Sequence, residues 1–105
     1  MTRIYLSGPI TGLPEEVYTQ AFERAEQHYK SAGFEVVNPV KIGKMLLELK
    51  EDPSWEDFII RDLEALRNCT HIAMLEGWEQ SKGAKREYEE AQKLGIEILR
   101  LKFFK

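Results

Sequence analysis

Short apolar segments alternate with longer segments of helical periodicity along this chain, and that alternation restricts the fold more than any other feature. The predicted strands cover residues 3–7, 34–38, 70–75 and 96–101. The predicted helices cover residues 14–32, 41–50, 55–67 and 82–94. Strands that are connected through helices run parallel and are covered on both faces. The sequence therefore predicts an α/β three-layer sandwich with a mostly parallel sheet of four or five strands.

Composition narrows the class of protein further. A length of 105 residues fits one domain over 1–105, and the net charge of −3 argues against a polymeric nucleic acid as partner. No apolar run has the length of a membrane span, so we expect no membrane association. The single cysteine, Cys69, is typical of a reducing cytoplasm, and His28 and His71 match no metal-ligand spacing. We therefore expect a cytoplasmic protein without a metal site.

The loops that follow the first three strands are the places where such a fold binds ligands, because ligands lie beyond the carboxyl ends of the strands. Their sequences are SGPITG, NPV and EGWEQSKG, which are rich in glycine, proline and small polar residues. The candidate binding residues in these loops are Gly8, Pro9, Ile10, Asn38, Trp78, Ser81 and Gly83. For Trp78, stacking on a base and packing in a core or interface are both open.

Glu87 occupies an unusual position on the last predicted helix. On a helical wheel it lies about 60° from Ala84, at the edge of the apolar stripe, whereas Glu89 points to the opposite side. A buried carboxylate is costly unless it is paired, hydrogen-bonded or facing a cavity. Glu87 could still reach solvent through its flexible stem or pair with a lysine, so the pattern alone leaves its role open.

Asp62 shows the same anomaly on the helix before the third strand, because it falls inside the stripe between Trp55 and Phe58. A structural hydrogen bond to a neighbouring loop would explain it. However, two partly buried carboxylates near one strand end are also what glycosyl chemistry uses, one as nucleophile or stabiliser and one to move protons or hold hydroxyls.

Ser81 and Gly83 precede Glu87 at the start of the same helix. Free backbone N–H groups and the helix dipole favour an anion there, such as a phosphate or a carboxylate. The alternative is that Ser81 simply caps the helix. The segment SGPITG matches neither a dinucleotide fingerprint nor a Walker loop.

Four motifs, in this order and spacing, resemble those of the nucleoside 2-deoxyribosyltransferase superfamily, in particular a small bacterial and phage branch of it. The motifs are IYLSGPITG, the NP after the second strand, RDLEAL, and GWEQSKGAKREYEEAQKLGI. The resemblance spans nearly the whole chain. It implies a flavodoxin-like or Rossmann-like fold and cleavage of the N-glycosidic bond of a deoxynucleoside or its 5′-monophosphate, by hydrolysis or by transfer of the sugar, without a cofactor. It also implies a homodimer or a larger homo-oligomer.

The resemblance assigns roles residue by residue. It implies that Glu87 is the nucleophile, that Asp62 contacts the sugar and that Tyr5 lies beside the nucleophile. It also implies that Ser81 binds a 5′-phosphate and that Gly8 belongs to the sugar and base pocket. Combined with the helical wheel, it makes Glu87, Asp62 and Tyr5 the predicted catalytic residues.

The chain departs from the superfamily pattern at two threonines. Thr11 stands where similar nucleotide hydrolases carry a phosphate-binding arginine, and Thr70 stands where relatives usually have aspartate. Two other functions therefore stay open: a nucleotide-binding module without turnover, and a partner protein in a complex. For the last of these, Phe103 and Phe104 are candidate interface residues.

Overall fold

The computed structural model describes residues 2–101, in which strands and helices follow one another in the predicted order. They are β1 Arg3–Ser7, α1 Glu15–Ser31, β2 Glu35–Val37, α2 Pro39–Leu49, α3 Trp55–Leu66, β3 His71–Leu75, α4 Lys82–Leu94 and β4 Glu97–Leu101. A short 3-10 helix, Trp78–Gln80, precedes α4. Phe103 and Phe104 lie outside the described residues.

The second helix begins earlier than predicted, at Pro39 instead of residue 41. The side chain of Asn38 accepts a hydrogen bond from the backbone N–H of Val40 and so caps the helix. Proline suits the first helical position because it has no N–H to satisfy there. The proline that stops β2 is therefore also the residue that starts α2.

The four strands form one parallel sheet in the order β2-β1-β3-β4. β1 is central, and Tyr5 lies between Val37 of β2 and Ile72 of β3. Helices cover both faces of this sheet. The predicted α/β fold of the flavodoxin-like or Rossmann-like type is confirmed, with four strands and no antiparallel pair among residues 2–101.

Side chains of β1 alternate between two hydrophobic cores, as the period of a strand requires. Ile4 and Leu6 pack on the face that α1 covers, together with Phe22 and Ala25. Tyr5 packs on the face that α3 and α4 cover. Because alternate residues share a face, Ser7 points to the same side as Tyr5.

A serine side chain caps the amino end of both α3 and α4. Ser54, immediately before α3, forms a capping box with Asp57. Ser81 accepts a hydrogen bond from the backbone N–H of Ala84 at 3.1 Å. These caps determine where each helix starts, and therefore which of its residues face the sheet.

Glu26 of α1 is a buried carboxylate that connects α1 to the start of α2. It accepts hydrogen bonds from Asn38 at 3.0 Å and Lys41 at 2.8 Å, and it also pairs with Lys30. Burial alone would raise the pKa of Glu26, but its bonds to Lys30, Lys41 and Asn38 outweigh burial and lower the pKa to about 2. This carboxylate therefore stabilises the junction of α1 with α2.

Thr70 occupies the amino end of the sheet, away from the loops expected to bind ligand. Its hydroxyl accepts from the backbone N–H of Arg3 at 2.9 Å and donates to the carbonyl of the same residue at 3.1 Å. The threonine thus joins β3 to β1. Cys69 beside it is buried, and burial raises the pKa of its thiol to about 11.

The described part of the chain contains no helix that is both long and apolar enough to cross a membrane. Within the same residues, no three His, Cys, Asp or Glu side chains come together as metal ligands.

We predict that Glu26→Gln lowers the free energy of unfolding by about 2 kcal/mol at neutral pH, as the lowered pKa implies. A carboxylate whose pKa is depressed in the folded state stabilises it above the ordinary value of 4.5, and that stability is lost as pH falls toward 2. Denaturant unfolding at several pH values should therefore show the two proteins converging in acid. Glu23→Gln, on the exposed side of α1, is the control. An equal difference at every pH would contradict the prediction.

Candidate active site

The carboxylate of Glu87 is buried, with 4% of the residue exposed, and each of its oxygens accepts a hydrogen bond from a side chain of β1. The Tyr5 hydroxyl donates to Oε2 at 2.6 Å, and the Ser7 hydroxyl donates to Oε1 at 2.7 Å. Distances this short are typical of hydrogen bonds to an ionised acceptor. The burial of Glu87 keeps its carboxylate from solvent, and among residues 2–101 it forms no ion pair with a lysine.

The local folding of two segments accounts for this contact. Tyr5 and Ser7 are two residues apart on β1, so both project toward α4. Helix α4 begins after Ser81 and turns Ala84, Glu87 and Ala91 inward, since these residues are spaced by about one helical turn. Strand and helix periodicities together bring the three side chains to one point.

Asp62 approaches the same point from α3. It is half-buried, and its carboxyl group lies within hydrogen-bonding distance of Glu87. Burial, followed by the negative charge of Glu87, raises the pKa of Asp62 to about 8. Two predicted catalytic carboxyl groups are therefore adjacent, and Tyr5 is hydrogen-bonded to one of them, Glu87.

The environment of Glu87 acts on its pKa in both directions. Burial raises the pKa to about 7, and the hydrogen bonds from Tyr5, Ser7 and Asp62 oppose that rise. The pKa of Tyr5 is raised well above its ordinary value, first by burial and then by the charge of Glu87, so the phenol stays a donor. Burial, and for Asp62 also the negative charge of Glu87, therefore disfavours the ionisation of both neighbouring carboxyl groups at once.

A cavity of about 420 Å³ opens onto this pair of carboxyl groups. Its volume is within the range that small-molecule sites occupy. Six of the residues predicted from sequence line it: Gly8, Ile10, Asp62, Ser81, Gly83 and Glu87. The cavity therefore combines the two carboxyl groups with the start of α4 and the loop after β1.

The remaining wall of the cavity is largely apolar. Three aromatic side chains, Tyr18, Trp55 and Phe58, line it, and Lys82 lies over the Trp55 ring at 4.5 Å from its centroid. Lys44 also lines it and is the one lysine or arginine to do so among residues 2–101. Aromatic side chains and charged groups in one cavity suit a ligand with a planar ring and a polar end.

Two glycines that line the cavity, Gly8 and Gly83, allow close packing between neighbouring elements. A Cβ atom on Gly8 would lie 2.9 Å from Cβ of Leu75, so a larger residue would push β1 and β3 apart. A Cβ atom on Gly83 would lie 3.4 Å from Cδ1 of Ile59. The first glycine is thus required by packing, and the second permits a close approach of α4 to α3.

Three predicted binding residues do not line the cavity: Pro9, Asn38 and Trp78. Asn38 is buried, and its side-chain amide is fully used. The amide oxygen caps α2, and the amide nitrogen donates to Glu26. Trp78 stacks on Tyr88, with ring centroids 4.7 Å apart, so it adopts the packing alternative. Pro9 lies against Gly77 across the adjoining loops.

Several site residues were not identified from the sequence. Ser7 could have been found, because strand alternation puts it on the same face as Tyr5. Trp55 and Phe58 were recognised as the apolar stripe of α3 but not as a cavity wall. Tyr18 and Lys44 carry no local signal, because their proximity to the carboxyl groups depends on how α1 and α2 pack.

The chain belongs to the family described as "Domain of unknown function (DUF4406)", which it matches over residues 2–100. Among solved structures, its fold is similar to that of the CMP N-glycosidase BcmB of Clostridium botulinum, with a TM-score of 0.64 and 20% sequence identity. The match covers 96% of this chain and 69% of that chain. Among curated proteins, no sequence matches this chain. The similarity to the N-glycosidase establishes a shared fold.

We predict that Asp62→Asn increases the free energy of unfolding above pH 8 by more than about 1 kcal/mol. A carboxyl group whose pKa is raised in the folded state costs stability as pH rises from its ordinary value of 3.8 through about 8, whereas asparagine stays neutral. Thermal or urea unfolding near pH 3 and pH 9 should show almost no gain at the lower pH and the full gain at the higher pH, because the cost grows between about pH 4 and pH 8.

Glu64→Gln, on the exposed side of the same helix, serves as the control for Asp62→Asn. A stability gain of equal size at both pH values would contradict the raised pKa of Asp62.

Proposed function

We propose that this protein cleaves the N-glycosidic bond of a nucleoside or nucleoside 5′-monophosphate, with Glu87 as the nucleophile. The observation that carries the proposal is the buried Glu87 carboxylate, which two donors orient beside Asp62 in the lining of a cavity. A carboxylate in this setting is suited to attack a carbon that carries developing positive charge.

In the first step, an oxygen of Glu87 attacks the anomeric carbon of the sugar. The bond from that carbon to the base nitrogen breaks, and the base leaves with the electron pair. Asp62, whose raised pKa keeps it protonated near neutral pH, donates a proton to the departing base, either directly or through a water molecule. The products of this step are the free base, a glycosyl ester on Glu87 and an ionised Asp62.

In the second step, water attacks the anomeric carbon and the ester bond to Glu87 breaks. Asp62 takes the proton from that water, which restores both carboxyl groups to their starting states. Two successive displacements retain the configuration of the sugar. If a second base replaces water, the same step transfers the sugar instead of hydrolysing it.

Two likenesses support this reaction class. The sequence motifs resemble those of the nucleoside 2-deoxyribosyltransferase superfamily, and the fold is similar to that of a CMP N-glycosidase. The first suggests a deoxyribose substrate, whereas CMP is a ribonucleotide, so a substrate panel needs both sugars. The aromatic wall formed by Tyr18, Trp55 and Phe58 is where we propose that the base lies.

Ser81 and Gly83, at the start of α4, are the proposed contacts for a 5′-phosphate. The start of a helix favours an anion, although Ser81 already accepts from the backbone N–H of Ala84. Lys44 is the cationic side chain of this cavity and has no ion pair among the described residues. We propose that Lys44 supplies the positive charge for the phosphate that is missing because residue 11 is a threonine.

A homo-oligomer stays a prediction, which light scattering can test.

We predict that the wild-type protein releases free base from at least one member of a panel of ribo- and deoxyribonucleosides and their 5′-monophosphates. Glu87→Gln should reduce the rate by at least about a thousandfold, because amide oxygen is a poor nucleophile. Chromatography of the free base measures both. Glu89→Gln, exposed on the same helix, is the matched control.

Retained activity in Glu87→Gln would contradict the proposed nucleophile. If nucleotides raise the melting temperature but no base is released during long incubation, the protein is a binding module and the proposed reaction is wrong.

We predict that Lys44→Ala raises KM for a nucleoside 5′-monophosphate about tenfold and leaves KM for the matching nucleoside unchanged. The physical reason is the loss of a charge-assisted contact that only the phosphate makes. Steady-state kinetics on the two substrates measures the difference. Lys85→Ala, exposed on α4 and outside the cavity lining, is the control. Equal changes for both substrates would contradict the assignment of Lys44 to the phosphate.

A further inference from the structure

Ser7 is a buried polar residue whose role the proposed reaction does not by itself explain. It is the last residue of β1, it has no exposed surface, and its hydroxyl donates to Oε1 of Glu87 at 2.7 Å. A buried hydroxyl costs free energy unless it is hydrogen-bonded, and this bond is the one that satisfies it. At this position an apolar residue would fit the strand and the core more simply.

We propose that Ser7 is a positioning residue, which fixes the orientation of the Glu87 carboxylate by holding the oxygen that Tyr5 does not hold. The inference rests on the proposed function, since it assigns Ser7 to the nucleophile of that reaction. It adds a residue to the site for which neither the sequence motifs nor the helical wheel gave a role.

A glutamate side chain has considerable rotational freedom at its carboxylate. Its last torsion angle, which rotates the carboxylate plane, has broad and shallow minima. A single donor, such as Tyr5, holds one oxygen and leaves the plane free to swing about that contact. A second donor on the other oxygen removes this rotation. Because both donors come from β1, which is paired on both sides, the carboxylate is held against a rigid support.

The groups around Glu87 also affect how readily its carboxyl group ionises. The titratable groups that face Glu87 are Tyr5 from β1 and Asp62 from α3, and Glu15 and Lys44 line the same cavity. Burial and a neighbouring carboxyl group both disfavour ionisation of Glu87. A hydroxyl that donates to the ionised form opposes this and keeps more of the nucleophile deprotonated.

The same hydrogen bond also has a use in the second step. When water attacks the glycosyl ester, Glu87 leaves as a carboxylate, and a donor that stabilises this anion lowers the barrier. Loss of Ser7 is therefore expected to slow turnover more than it weakens substrate binding. This separation of kcat from KM would not follow from a purely structural role.

The test compares Ser7→Ala, which removes the donor, with Ser7→Cys, which keeps the volume approximately and donates weakly. Ser31→Ala is the control, because Ser31 bonds a backbone carbonyl at the end of α1, away from the cavity. The first measurement is the titration of the Glu87 carboxyl carbon by nuclear magnetic resonance, which needs no substrate. We expect Ser7→Ala to raise the pKa of Glu87 by about one pH unit, Ser7→Cys to raise it less, and Ser31→Ala to leave it unchanged.

The second measurement is the pH dependence of base release. We expect Ser7→Ala to lower kcat about tenfold with little change in KM, and to move the acidic limb of kcat/KM to higher pH. Ser7→Cys should restore part of kcat. If Ser7→Ala does not fold, the titration and kinetics of Ser7→Cys carry the same comparison against the wild type.

The outcomes separate the two proposals. If the wild type releases base but the Ser7 variants leave both kcat and the pKa of Glu87 unchanged, the positioning role is wrong and the proposed function stands. If the Ser7 variants raise the pKa of Glu87 but the wild type releases no base from any substrate, the proposed function is wrong and Ser7 still positions the carboxylate.

Discussion

The hydrogen bonds from Tyr5 and Ser7 to Glu87 are the contacts on which the rest of the site depends. They connect the central strand of the sheet to α4, and they satisfy a carboxylate that would otherwise be costly to bury. A hydrophobic residue at position 87 would serve the core without any partner. The protein instead has an ionisable group there, whose pKa is raised and which lines a cavity. The packing of the core does not require a carboxyl group at this position, so a role in chemistry is the better explanation.

Asp62 and Glu87 have the same chemical group in different surroundings, and this difference supports a division of roles. Glu87 has two hydroxyl donors and is the better stabilised anion. Burial, and next the negative charge of Glu87, favours the protonated form of Asp62. The packing of α3 and α4 on one face of the sheet places these two carboxyl groups side by side, as the proposed reaction requires. The cost is stability at high pH, since the folded state has to ionise buried groups.

The fold was predictable because its signals are local. Strand and helix periods, a serine before α3 and a glycine after α4 determine the elements, and parallel pairing follows from their alternation. Glu87 and Asp62 were identifiable for a related reason, because each is a carboxylate within or beside the apolar face of its helix, where a hydrophobic residue is expected. Trp78 was ambiguous, since a half-buried aromatic residue in a loop suits a core as well as a ligand.

The cavity itself was not predictable from one sequence. Tyr18 and Lys44 become its neighbours only through the packing of α1 and α2, and no period along the chain encodes that contact. Asn38 lies at the end of β2, as a binding residue would, but its side chain is used by α2 and Glu26. Residue type and strand position therefore locate the edge of the sheet that holds the site, whereas the side-chain contacts decide which residues reach it.

The central claim is that Glu87 forms a bond to the sugar, and trapping that bond tests it most directly. The protein would be incubated with the most active substrate, or with a 2′-fluorinated analogue that slows the second step, then quenched, digested and mapped by mass spectrometry. The account predicts an added sugar mass on Glu87, with the free base released in equal amount during the first turnover. An adduct on another residue, or base release with no adduct under conditions that trap the intermediate, would contradict it.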